Sequence, residues 1–149
     1  MKKLFSASIS PLQLDLGLLL IRIIIGVLMA FYGYEKLIHF NEMAASDFWA
    51  KNVNFLGFTG KVPLALTVFA EFFCSILLIL GLLTRLSLVP LIICMGYIVV
   101  VVGGFNIISS GENGIEVNSA FLYFIIYIAL LLTGPGRYSI DYLISQRQS

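Results

Sequence analysis

Charged residues are scarce in this chain. They make up 11% of its 149 residues against 60% hydrophobic, and the mean hydropathy is +1.01. A water-soluble domain carries about a quarter charged residues, so this balance points to lipid as the solvent. The net charge of +1 has no basic patch behind it, which argues against a nucleic-acid partner. His39 is the single histidine, which excludes a two-histidine haem. Cys74 and Cys94 stand inside apolar runs without CxxC spacing or a neighbouring histidine, so neither a zinc site nor a local redox pair is indicated. With no glycine-rich phosphate loop either, no soluble cofactor site can be drawn.

What the chain has instead is long apolar runs, each near the ~20 residues that span a bilayer core. They cover about residues 14–37, 62–83, 86–108 and 117–133. Pro63 suits a first helical turn, Pro90 falls early in the third run, and "TGPG" at 133–136 stops the fourth. The expected fold is all-α, a single domain over residues 1–149 forming an integral membrane bundle of four transmembrane helices. The first run is too long for a signal peptide, contains Arg22 and lacks an A-x-A-type cleavage site.

The loops read as interfaces. Phe48, Trp49, Phe55 and Phe58 in the first loop are the aromatic types that settle at headgroup depth, and Asn41 or Ser46 could cap a short helix there. The tail opens on Ser139 as a cap and sets Ile140, Leu143 and Ile144 on one face, the pattern of a short interfacial helix. The third loop, with Gly103, Gly104, Asn106, Glu112, Glu116 and Asn118, is either a solvated connection or an outer recognition loop. With both termini inside, Lys2, Lys3, Arg85, Arg137 and Arg147 are cytoplasmic and Lys36, Lys51 and Lys61 are outside. That imbalance favours the N-in, C-in orientation. Lys36, Trp49, Arg85 and Arg137 are then interface anchors.

Two charges fall deep inside the runs. Arg22 lies roughly 12 Å into the first helix at 1.5 Å per residue. Glu71 enters from the opposite side and comes to roughly 17 Å below the same face of a ~30 Å core. Unpaired, such a charge costs at least ~2.5–3.5 kcal/mol, so a buried Arg22–Glu71 pair is expected. The pair either fixes helix register or faces a cavity that takes a ligand or proton. Gly26 and Gly33 share the Arg22 stripe, together with Met29 and Ala30, and small residues there admit a neighbouring helix or a flat ligand. Cys74, one turn beyond Glu71, falls at the depth of Cys94, so the two thiols could touch or simply pack as small apolar groups.

Four ordered segments give the chain a resemblance to the DoxX family of small bacterial membrane proteins. They are "LLLIRIIIGVLMAFYGYEKL", "ALTVFAEFFCSILLILGLLTRLSL", the Glu116 region, and "LLLTGPGRYSID". The resemblance implies a four-helix protein of the cytoplasmic (inner) membrane, with polar positions at Arg22, Lys36, Glu71, Arg85 and Arg137. Members are often labelled oxidoreductases, the name coming from a subunit of a thiosulfate:quinone oxidoreductase. Tyr32 stands where many members have histidine, and no cysteine pair lies at the membrane surface. The expected function is a redox-associated membrane subunit that meets quinone near Arg22 and Glu71, with a partner subunit carrying electrons. The alternative is a non-catalytic scaffold, assembly subunit or small carrier.

Overall fold

A computed structural model describes residues 11–111 and 114–148. Lys2 and Lys3 of the inner charge count, and Glu112 of the third loop, lie outside them. Among the described residues, three helices are long and apolar enough to cross a membrane: α1 (Pro11–Ile38), α3 (Lys61–Leu80) and α4 (Thr84–Val102). Between the first two lies a short helix, α2 (Phe40–Ala45). The fourth apolar helix, α5 (Ser119–Thr133), has 15 residues. At 1.5 Å per residue it is about 22 Å long, short of a ~30 Å core. A last helix, α6 (Ile140–Gln148), follows it.

Packing runs in chain order, with α1 against α3, α3 against α4, and α4 against α5. Their common core holds Ile25, Met29, Leu78, Leu88, Leu91 and Tyr127. A second cluster sits above it, where α2 and the turn after it fold onto the start of α3 through Ala44, Trp49, Val53, Leu64 and Val68. The outward faces of the long helices carry Leu20, Ile24, Phe31, Leu66 and Ile93, an apolar surface suited to lipid.

The chain is not wholly helical. The third apolar run leaves helix at Val102 rather than reaching residue 108, because Gly103 N–H bonds back to Ile98 O at 2.7 Å and closes a wide last turn. Gly104 and Phe105 then take positive φ and swing the chain outward. Residues beyond form an antiparallel hairpin, β1 (Ile108–Gly111) and β2 (Gly114–Val117), pairing Ile108 with Val117 and Ser109 with Glu116. The β-branched residues at 107, 108, 115 and 117 favour a strand once the glycines have broken the helix. Asn118 caps α5, its side-chain oxygen accepting from Ala120 N–H at 3.0 Å.

In the first loop Asn41 lies inside α2, and Ser46 caps that helix at its C-terminal end. His39 precedes α2, and the Ser46 hydroxyl at its far end donates back to Met43 O at 2.6 Å. The tail cap is as expected: Ser139 Oγ accepts from Tyr142 N–H at 3.2 Å and starts α6.

Candidate functional site

Helices α3 and α4 each depart from regular α geometry on stretches that border the same cavity. Residues Phe69–Cys74 of α3 and Ile98–Val102 of α4 are π-helical, and Pro90 lies inside α4. A π turn spreads the backbone by one residue, and a helix-interior proline removes a rung of the hydrogen-bond ladder. Between them lies a cavity of about 390 Å³, roofed by Phe48, Trp49, Val53 and Phe55. That volume is within the ~300–1,000 Å³ range of small-molecule pockets. Its walls are almost wholly aliphatic and aromatic.

The polar groups converge at one place. Lys36 Nζ from α1 forms an ion pair with Glu71 Oε2 from α3, with the lysine side chain 19% exposed and the carboxylate 3%. Cys94 Sγ of α4 stands 4.0 Å from the other carboxylate oxygen, and Thr67 lines the same wall. Lys36 and Glu71 are the charged residues among the described residues that line the cavity. A buried pair of this kind holds only while both partners remain, since removing one leaves an uncompensated charge at a cost of about 3–5 kcal/mol.

The expected Arg22–Glu71 pair does not form. The reason is register. A Cβ on Gly33 would lie 2.5 Å from Phe72 N and 2.7 Å from the Glu71 carbonyl carbon, so α1 touches the α3 backbone at Glu71. A Cβ on Gly81, at the other end of α3, would run into Arg22 Nη1. Glu71 is therefore level with Gly33, while Arg22 is eleven residues away along α1, about 16 Å at 1.5 Å per residue. Lys36, three residues past Gly33 on the same stripe, is the cation within reach.

Arg22 is fully buried and serves another purpose. Its guanidinium donates to Pro135 O at 2.7 Å and to Tyr138 O, tying the segment after α5 under the bundle. Asp15 accepts from Arg137 N–H at 3.1 Å and lies 3.5 Å from Arg137 Nε. Asp141 accepts from Leu83 N–H at 2.7 Å and Thr84 N–H at 2.8 Å, capping α4 from a distant part of the chain. Those two bonds hold Leu83 in its left-handed conformation. Gly81 is required twice here, for its φ of +67° and for the space beside Arg22 and Ser139. The result is a clasp that welds the end of the chain to the α3–α4 turn.

Several further expectations are corrected. Gly26 and Gly33 are not among the residues lining this cavity; Gly26 packs against Ile79 and Ser75, and Gly33 against Glu71 and Phe72. Cys74 is in the central core and away from the cavity, and both cysteines are free. Of the residues expected as interface anchors, Lys36 pairs with the Glu71 carboxylate and Trp49 is 9% exposed in the cavity wall. Arg85 is exposed at the start of α4, and Arg137 is largely exposed beside Asp15. Sequence reasoning missed Cys94, Thr67 and the loop aromatics as pocket residues. For Lys36 a signal existed, because the 22, 26, 29, 33 stripe continues to 36 by the same three- and four-residue steps.

These features define a helical membrane protein with a charged pair at the base of an apolar cavity. A family model described as DoxX matches residues 17–104, more than half of the chain, and the chain belongs to that family. The matched span holds most of α1, all of α3 and α4, the whole cavity and the Arg22, Gly81, Leu83 and Thr84 side of the clasp, and ends before the hairpin and the 135–141 side of the clasp. No curated protein and no solved structure matches the chain.

Proposed function

We propose that this protein is a quinone-binding, redox-associated subunit of the cytoplasmic membrane, with the Lys36–Glu71 pair as the polar end of its ligand site. The observation that carries this reading is an ion pair bordering a ~390 Å³ cavity whose other walls are apolar and aromatic. A quinone ring matches those walls by shape, and its carbonyl oxygen matches the one ammonium donor. Lys36 would donate to that carbonyl and stabilise negative charge growing on it. Glu71 would hold the ammonium in place and compensate its charge. Reducing equivalents would come from a partner subunit.

In this reading all four apolar helices span, the bilayer thinning locally around the shorter α5, with both termini inside. The loop cations that support this orientation are Arg85, Arg137 and Arg147 on the inner side together with Lys2 and Lys3, against Lys36, Lys51 and Lys61 on the outer side. Helix α6, with Leu143 and Ile144 exposed, would lie along the inner surface.

Mass spectrometry of the protein purified in mild detergent tests the proposal. A quinone should accompany the wild-type protein and be lost from Lys36→Met. A stable complex with a second protein and no bound small molecule would instead favour a scaffold or assembly subunit.

A further inference from the structure

The cavity also has an open side. Leu66 and Phe69 on α3, and Ile93 and Val102 on α4, line it yet are 48%, 51%, 52% and 43% exposed. Phe69 is roughly 12 Å from the start of α3, and Ile93 roughly 13 Å from the start of α4. Both therefore fall within a ~30 Å hydrocarbon core, where an exposed face meets acyl chains. The π-helical stretches and Pro90 are on these same two helices, and such departures cluster at functional sites.

We propose that this opening is a lateral slot through which the ligand exchanges with the bilayer, and that the ligand is a neutral ring with a long apolar tail that stays in the slot. The proposal rests on the quinone reading for the head and on the exposed rim for the tail. A phospholipid fits poorly. Its phosphate stays at headgroup depth, and the Lys36–Glu71 pair offers no uncompensated cation to draw an anion inward. An uncharged carbonyl head needs only a donor, which Lys36 provides.

The test uses the full chain in nanodiscs and Trp49, the single tryptophan, as reporter. Trp49 lines the cavity, so acyl chains brominated at mid-chain that enter the slot should quench it more strongly than chains held outside the bundle. Quenching is expected in the wild type and should fall severalfold in Leu66→Phe/Ile93→Phe, with Val102→Phe acting in the same direction. These rim positions face outward, so the substitutions leave the core intact. A decyl-tailed benzoquinone should lose at least tenfold in apparent affinity in the rim variants, while its tail-free dimethoxy-methyl ring counterpart changes less than twofold. Absence of quenching in the wild type, or equal losses for both probes, overturns the slot. Quenching by brominated lipid with no binding of either quinone overturns the quinone head and leaves a slot for bilayer chains.

Discussion

Replacing Lys36 by Met leaves the Glu71 carboxylate, 3% exposed, without its cation. Loss of one partner of a buried pair costs about 3–5 kcal/mol, and Glu71→Gln should cost a similar amount by stranding the ammonium. The double variant removes both charges together, so its cost should fall below the sum by about 2–3 kcal/mol. The matching cycle of Arg22→Met with Glu71→Gln should be additive within ~0.5 kcal/mol, because the two sites share no partner. Their level along α1 differs by about 16 Å. Reversible unfolding in mixed bicelles, followed by far-UV circular dichroism against SDS fraction, gives all the values needed. Additivity for Lys36 and Glu71, or coupling above ~1 kcal/mol for Arg22 and Glu71, would refute the register argued from Gly33 and Gly81.

The glycines should rank by what surrounds them. Gly33→Ala forces α1 off the α3 backbone and should cost about 1–3 kcal/mol; Gly26→Ala meets mainly the movable Ile79 side chain and should cost less. Gly17→Ala has nothing within 4 Å and should be neutral or slightly stabilising in the same unfolding assay. Asp141→Ala removes the cap on α4 and should cost about 1–2 kcal/mol, with faster amide exchange at Leu83 and Thr84 as the local readout. Arg22→Lys cannot span Pro135 O and Tyr138 O as the planar guanidinium does, so amide exchange and protease cleavage across residues 134–148 should rise despite the retained charge.

The apolar runs announced α1 and α3 within three residues and the start of α4 within two, since hydrocarbon burial needs long unbroken apolar helices, while the end of α4 fell six residues short of its run. The Ser139 cap and the stop at Gly134 were equally legible. The partner of Glu71 was not. Depth measured from the start of each run matches only if α1 and α3 meet the membrane at the same level. In the folded chain α2 packs beside the first turns of α3, so α3 begins beyond the end of α1 and Glu71 sits nearer that end. Chain folding between spans sets that offset, and periodicity carries no record of it. The cavity was invisible for a related reason: it depends on π turns and a folded-back loop, while a hydropathy pattern sees only apolar residues. Arg22 was correctly expected to be buried, but its acceptors are backbone carbonyls, which every residue supplies and no motif marks.

The most direct measurement is a quinone titration read by Trp49 fluorescence in nanodiscs, on the wild type, Lys36→Met and Arg22→Met. Saturable quenching is expected in the wild type. Losing a charge-assisted hydrogen bond of ~1.5–3 kcal/mol should weaken Lys36→Met by about 10- to 100-fold. Folded Arg22→Met should stay within twofold of the wild type, because Arg22 holds the clasp rather than the cavity. Binding that survives Lys36→Met unchanged, or that disappears in folded Arg22→Met, would contradict the account.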